Sequence, residues 1–353
     1  VGEKEVQFVD QLIKWFRHNK RNLPWRVEKS PYKIWVSEIM LQQTKVSVVI
    51  PYFTRFIERY PSVESLAEAT LNEIYQVWEG LGYYSRAKKM HETASIILSK
   101  YGGVFPDTLD SIISLPGIGD YTAGAIMSIA FNKPCPAVDG NVLRVFARIY
   151  EIQKDVLDPK TKKEITEKVT ENIYLDSPSD YTESIMELGA LLCQPKNPKC
   201  LFCPVQTNCK AYQHGTMENI PLRINKTVQV EEKLVVLILQ QKNAIWMEKR
   251  KDDGLLGGFW QLPNFYVKPK IPIPQQIENC FLLEKFTPMI SQFLFEEKYM
   301  YSHRIWKMEV FEIKMDTSLL QNSETSQWID RPDLKNFPIG GAFRKIIKRI
   351  SHQ

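Results

Sequence analysis

The sequence predicts a multidomain chain: an all-α domain over residues 1–213, then a smaller α+β domain over 230–353. Three observations carry this. Up to about residue 213, apolar residues recur at spacings of three and four, the period of a helix buried on one face. After Lys233 the texture turns to short apolar runs and apolar–polar alternation, the period of strands. Between them, residues 214–229 are polar, contain Gly215 and Pro221, and show no periodicity, so they read as a linker. A length of 353 residues suits two domains, and 44% hydrophobic with 25% charged residues excludes a disordered or collagen-like chain. No apolar run approaches the roughly 20 residues of a membrane span, so no membrane partner is expected. The segment from Val1 to Lys20 is too charged for a signal peptide, which points to a cytoplasmic, nucleoid-associated protein.

In chain order, Phe8, Leu12, Trp15 and Phe16 mark a first helix, and Ile34, Ile39 and Met40 a later one. Ile96 and Ile97, Ile126 and Ile129, and Val142, Val145, Phe146 and Ile149 mark others, about ten short helices in all. Pro24, Pro31, Pro51, Pro61, Pro106 and Pro116 punctuate them, and Asp139, Thr161 and Ser179 are placed as N-caps. In the second part Leu234–Leu239, Ala244–Met247, Phe293–Phe295, Tyr299–Tyr301 and Trp306–Ile313 read as strands, and Ile339–Ile350 as a closing helix. The net charge is +5, from 46 basic and 41 acidic residues, a mild lean toward nucleic acid. Seven basic residues stand between Lys14 and Lys33 against Glu28 alone, either a solvated face or a phosphate-facing patch.

Four of the six cysteines, Cys193, Cys200, Cys203 and Cys209, lie within 17 residues as C-x6-C-x2-C-x5-C. Disulfides are not expected without a secretory signal. A zinc site usually comes as two C-x2-C pairs, and only one is present. One compact loop with four thiolate corners suits a [4Fe–4S] cluster better. Cys135 and Cys280 stand apart and read as small buried apolar residues.

Between two apolar helical segments lies Leu115-Pro116-Gly117-Ile118-Gly119-Asp120-Tyr121. Its two glycines permit a tight hairpin whose backbone N–H groups, at a helix start, can hold a phosphate without reading sequence. Twenty residues after Gly119 comes Asp139, at an apparent helix start among Pro136, Ala137 and Val138. Alone it would be an N-cap.

Hairpin, aspartate and four-cysteine loop together resemble the helix-hairpin-helix DNA glycosylase superfamily, in its endonuclease III-like branch. The resemblance covers the first 213 residues and implies two helical lobes. One is a six-helix barrel from about residue 26 to 134; the other joins residues 1–25 to 135–213. Ser37-Glu38-Ile39-Met40-Leu41-Gln42-Gln43-Thr44 and Leu81-Gly82-Tyr83-Tyr84-Ser85-Arg86-Ala87 are similar to the adenine DNA glycosylase (MutY) family, as is the added C-terminal domain. In bifunctional relatives a hairpin Lys forms a Schiff base. Here Tyr121 stands in its place and no Lys lies between Leu115 and Asn132, which argues for a monofunctional enzyme.

The resemblance implies roles that the chemistry makes specific. Removing adenine needs a protonated leaving base and a stabilised oxocarbenium ion, work for two carboxyls. Glu38 is the general acid at adenine N7, and burial beside Trp35, Ile39 and Met40 should raise its pKa by about two units. Asp139 stays ionised and faces the anomeric carbon, with Asn141 orienting it or the water and Tyr121 bonding into the same site. Arg26 and Glu183 match adenine-pocket positions; Trp25 is a pocket wall or a core residue. The adenine must be flipped out of the duplex. Gln43 and Tyr83 are the candidate plug and wedge, Thr44 and Leu81 contacts to the opposite base, and Gly117 and Gly119 contacts to phosphate.

Gly254–Pro263 resembles the entry to a Nudix fold, but downstream Ile277-Glu278-Asn279-Cys280 holds no Glu-rich metal helix, so metal-dependent hydrolysis is not expected. The domain resembles the family's 8-oxoguanine recognition domain, with Tyr301, Ser302 and His303 at the position of its Phe-Ser-His hairpin tip. The expected partner is double-stranded DNA with adenine opposite 8-oxoguanine, bound by a monomer. Two readings compete: a thymine or uracil mismatch glycosylase, disfavoured because pyrimidine removal needs no N7 acid, and a non-catalytic damage sensor, disfavoured by intact Glu38 and Asp139.

Overall fold

Proline and glycine spacing sets where the helices start and stop, and it makes many of them short. The computed structural model describes residues 3–224, 229–251, 254–282, 290–301, 304–316 and 320–351. The chain divides into two units, Val1–Asn225 and Lys226–Gln353. Among the described residues the first unit is helical, in the order α1 (Glu3–Asn19), α2 (Pro24–Val27), α3 (Pro31–Leu41), α4 (Val46–Arg59), α5 (Val63–Glu68), α6 (Leu71–Trp78), α7 (Ser85–Tyr101), α8 (Leu109–Ile113), α9 (Asp120–Ala125), α10 (Gly140–Tyr150), α11 (Pro159–Glu171), α12 (Pro178–Leu191) and α13 (Lys210–Gln213). The sequence reading expected about ten. The excess comes from one-turn pieces such as α2 and α13, too short to show a period.

Capping corrects two expectations. Asp139 does cap α10. The caps of α11 and α12 are Asp158 and Ser177, not Thr161 and Ser179. Pro159 and Pro178 take the first helical position, where a missing N–H costs nothing, and so fix the cap one residue earlier.

Residues 34 to 40 of α3 are all buried, because α3 packs against α4, α9 and the π-turn Ile126–Ala130 that continues α9. A second core joins Phe8 and Leu12 of α1 to Phe146 of α10, Ile165 of α11 and Tyr181 of α12. The expected linker is a further correction. Ile220 lies in this core at 3% exposure, its carbonyl accepts from Arg148 Nε at 2.8 Å, and Leu222 bridges Asp155. Residues 214–224 therefore belong to the helical unit. One buried isoleucine and a few scattered polar contacts anchor them, which leaves no periodicity to read.

The second unit holds β1 (Val230–Ile238), β2 (Gln240–Gln241), β3 (Ala244–Lys249), β4 (Trp260–Gln261), β5 (Asn264–Tyr266), α14 (Ile273–Leu282), β6 (Ile290–Tyr301), β7 (Arg304–Lys314), β8 (Ser326–Asp330) and α15 (Gly341–Ile350). One sheet runs β5-β1-β7-β6, mixed because β1 and β7 are parallel; the other pairs β3 with β2, β4 and β8. Leu234, Val236 and Ile238 face the core that holds Phe343 and Ile346 of α15, while Val235, Leu237 and Leu239 face Ile277 of α14. Burial on both faces explains why this strand reads as an unbroken apolar run. The two strands expected around Phe293 and Tyr301 are one, β6, with an irregularity between Phe293 and Phe295 that breaks the alternation.

Candidate active site

Glu38 sits near the end of α3 with only 5% of its surface exposed. Burial, which penalises the charged form, pushes its pKa from an ordinary 4.5 to about 7; Asp139 and Glu183 add to the rise, while Tyr121 and Arg26 oppose it. From α9, the Tyr121 hydroxyl donates to Glu38 Oε2 at 2.5 Å. That fixes the carboxyl and leaves Oε1 as the natural carrier of its proton.

Asp139 Oδ1 accepts from the backbone N–H groups of Asn141 at 2.8 Å and Val142 at 2.7 Å, and Oδ2 from Asn141 Nδ2 at 2.8 Å. Three donors suit a carboxylate, which can only accept. Burial raises the pKa of Asp139, and those hydrogen bonds together with Arg144 pull the other way. Arg144 Nη2 in turn donates to Asn141 Oδ1 and its Nε to the Cys193 carbonyl, both at 2.8 Å. A hydrogen-bonded chain thus joins Asp139 to the cysteine loop. The segment before Asp139 lies hard against α9. A Cβ at Gly124 would fall 2.1 Å from the Pro136 carbonyl oxygen, so only glycine lets that backbone approach.

Opposite stands a buried ionic group. Arg26 Nε pairs with Glu183 Oε1 at 2.8 Å and Arg26 Nη2 with Glu187 Oε2 at 3.0 Å. Lys29 reaches the other oxygen of Glu183. Arg21 donates to Glu187 from its backbone N, Nε and Nη2 at 2.8–2.9 Å. Burial alone would raise Glu187, but the hydrogen bonds from Arg21 and Arg26 bring it down to about 2. These pairs account for much of the basic cluster read from sequence. Arg17, Arg21, Arg26, Lys29 and Lys33 each hold a carboxylate, so five of its seven members are paired.

Glu38, Tyr121, Asp139, Asn141, Arg26, Trp25 and Glu183 line one cavity of about 330 Å³, with Gln43 and Thr44 on its wall. The size is that of a small-molecule pocket. Trp25 is both wall and core, 5% exposed and edge-on to Phe53 at 5.4 Å. Gln43 and Tyr83 are exposed and both take positive φ, 58° and 49°, whereas Leu81 is buried. In the hairpin, Gly117 has φ +78° and is needed there. Gly119 caps α9 in extended backbone that any residue adopts, with open space beside it, so the expected special conformation is confined to Gly117.

The four cysteines line a second, apolar cavity. Burial pushes Cys203 to about 12 and Cys209 to about 11, and the neighbouring cysteine sulfurs reinforce both. Such thiols ionise only against a strong local positive charge. Among the described residues, no three His, Cys, Asp or Glu side chains gather into a shell for a single metal ion. Four soft thiol donors on the walls of one apolar cavity are a donor set suited to a metal centre. Buried Arg148 binds this loop at Cys193 Sγ (3.4 Å), the Gln194 carbonyl (2.7 Å) and the Pro195 carbonyl (3.2 Å).

In the second unit, the Tyr301 hydroxyl accepts from Ala342 N at the start of α15 at 3.1 Å, and the ring packs on Tyr299 and Trp306. Its extra hydroxyl has work inside the domain. Ser302 and His303 lie outside the described residues.

Sequence reasoning missed Glu187, the pairing role of Arg21, the half-buried Arg86, and the buried Arg144 and Arg148. Glu187 could have been found: it stands one helical turn beyond Glu183, on the same face of α12.

These features define a class, and comparison places the chain within it. Residues 36–173 match the family model described as the HhH-GPD superfamily base excision DNA repair protein, and residues 234–349 match the NUDIX domain. An adenine DNA glycosylase of Buchnera aphidicola subsp. Schizaphis graminum (strain Sg) is 34% identical over 350 residues, 97% of this chain and 98% of its own. One from Buchnera aphidicola subsp. Baizongia pistaciae (strain Bp) is 40% identical over 261 residues, 73% and 74% of the two chains. A solved thermostable thymine-DNA glycosylase superposes with a TM-score of 0.55 at 28% identity, over 60% of this chain and 98% of that one. The chain belongs to the adenine DNA glycosylase family.

Proposed function

We propose that this chain is a monofunctional DNA glycosylase that hydrolyses the N-glycosidic bond of adenine mispaired with 8-oxoguanine in double-stranded DNA. The observation that carries the reading is Glu38, a buried carboxyl brought to about 7 in one cavity with a second carboxyl, Asp139, that is held by three donors. Near neutral pH Glu38 keeps a proton that it can give to adenine N7, and Tyr121 keeps its second oxygen occupied. Asp139, kept anionic by its donors, faces the positive charge that develops on the sugar as the bond breaks. Asn141 orients Asp139. Arg26 and Glu183 offer donor and acceptor to the base, with Trp25 as an apolar wall.

The adenine reaches the cavity by leaving the stack. Gln43 and Thr44 stand on its wall; the exposed Gln43 and Tyr83 take the roles of plug and wedge. Leu81 is buried, so contact with the opposite base would require the 81–83 loop to move. Gly117 and Gly119, exposed on the hairpin, present backbone to phosphate. Cys193, Cys200, Cys203 and Cys209 would hold a [4Fe–4S] cluster, which when bound would tie the loop together, and Lys196, Lys199 and Lys210 on that loop would meet phosphates. Tyr301, Ser302 and His303 carry recognition of 8-oxoguanine from the NUDIX unit, Tyr301 through the ring it keeps against Tyr299 and Trp306.

The test is single-turnover base release from duplexes holding adenine opposite 8-oxoguanine, guanine or thymine, beside duplexes with thymine or uracil opposite guanine. Fast adenine release opposite 8-oxoguanine, weaker opposite guanine and absent opposite thymine is expected. Pyrimidine release would replace the reading with a mismatch glycosylase, and tight binding without release would leave a sensor.

A further inference from the structure

Seven non-glycine residues among the described ones have positive φ, and two of them are Gln43 and Tyr83. Left-handed backbone is costly for residues with a Cβ, and it persists only where the surroundings hold it. One side chain stands next to both. The guanidinium of Arg86, in the first turn of α7, donates from Nη1 to the carbonyls of Ile39 (2.7 Å), Met40 (3.1 Å) and Gln42 (2.7 Å). From Nη2 it donates to the carbonyls of Leu81 (3.4 Å) and Gly82 (3.2 Å). Gln42 and Gly82 immediately precede the two strained residues. The guanidinium also lies 5.2 Å from the Tyr83 ring and 5.5 Å from that of Trp78. Ile39 and Met40 stand two and one residues before the end of α3, whose final carbonyls have no partner inside the helix.

We propose that Arg86 is a positioning residue that locks the Gln43 and Tyr83 loops into one device for extruding the base. This rests on the function proposed above. A flat fork with donors on both arms is what a set of carbonyls from two loops requires; a lysine ammonium offers three donors at one point and cannot span them. Removing the clamp releases both strained residues to ordinary backbone, and each then meets the duplex independently. Arg86 touches neither Glu38 nor Asp139, so the loss falls on extrusion and not on protonation of the leaving base.

The experiment compares the wild-type protein with Arg86→Lys, using duplexes with adenine opposite 8-oxoguanine and 2-aminopurine beside the adenine. Stopped-flow fluorescence reads unstacking, and single-turnover release across pH reads chemistry. The expected result is unstacking slowed tenfold or more in R86K, with the pH midpoint of release unmoved. Unchanged unstacking overturns the proposal, and so does a shifted midpoint with normal unstacking, which would mean that Arg86 acts through Glu38. If R86K does not fold, a double-mutant cycle of Gln43→Ala and Tyr83→Ala in the otherwise native chain decides. Coupled loops give effects that depart from additivity by threefold or more, and additive effects overturn the clamp. Absence of adenine release from the wild-type protein would instead overturn the function, and this inference with it.

Discussion

Replacing Glu38 by Gln keeps the side chain's shape and removes its proton chemistry, so stability and activity should part company. Moving a carboxyl from 4.5 in the unfolded chain to about 7 in the fold corresponds to about 3 kcal/mol. The folded state favours the protonated form. The group's contribution is therefore fully present below 4.5 and lost as the pH rises from 4.5 through about 7. Glutamine is neutral throughout and loses nothing in that window. Relative to the wild type, Glu38→Gln should gain about 3 kcal/mol between about pH 4.5 and pH 8.5, read as a shift in the urea midpoint of the helical unit. Over the same range adenine release by the variant should be lower by at least about 10². Wild-type release should be level below about 7 and fall tenfold per pH unit above it, as the acid loses its proton. If the stability difference between variant and wild type does not change with pH, Glu38 is not held as a buried neutral acid. If release survives in the variant, the leaving base is protonated by some other group.

Glu187→Gln should cost about 2–3 kcal/mol at neutral pH by leaving Arg21 and Arg26 short of a counter-charge. Because the carboxyl is held down at about 2, that cost should shrink as the pH falls from 4.5 toward 2, which denaturation at several pH values would reveal. Gly124→Ala should destabilise by about 1–3 kcal/mol and slow base release, since its Cβ would meet the Pro136 carbonyl and displace the segment leading to Asp139. Tyr301→Phe should lower the stability of the NUDIX unit by about 1 kcal/mol, the worth of one hydrogen bond to Ala342 N, and leave the preference for 8-oxoguanine intact. A change in that preference would show that the hydroxyl works outside the domain. Purified protein should carry about four iron and four sulfide per chain, and chemical analysis finding zinc instead would refute the cluster.

What the sequence revealed of this site follows from how local the physics is. The burial of Glu38 was legible from Trp35, Ile39 and Met40 beside it, and burial is the larger part of what raises its pKa; its role as the acid was only implied by the resemblance of Ser37–Thr44. Asp139 was legible as an N-cap because a cap is local geometry, and its place in the site was implied only by the resemblance. The caps of α11 and α12 are as local, and Pro159 and Pro178 mark them in the sequence. The ion pairs were not local. Arg21 and Glu187 are 166 residues apart, and a charge count around Lys14–Lys33 cannot tell a cation facing phosphate from one turned inward onto a carboxylate.

Arg86 is the limiting case, because its partners are carbonyl oxygens, which every residue has and no side-chain pattern marks. Its sequence neighbourhood reads as the exposed start of a helix, and its burial brings the guanidinium pKa down to about 10. An exposed arginine would gain little by staying on one set of acceptors. Partly withdrawn from water, it gains by finding acceptors for its donors, and the last turn of α3 and the Leu81–Gly82 turn supply them. Its Nε is buried without a hydrogen-bond partner among the described residues, so the two Nη groups alone tie the guanidinium to both loops. The same burial that hides the residue from sequence reasoning is what would make the two loops move as one.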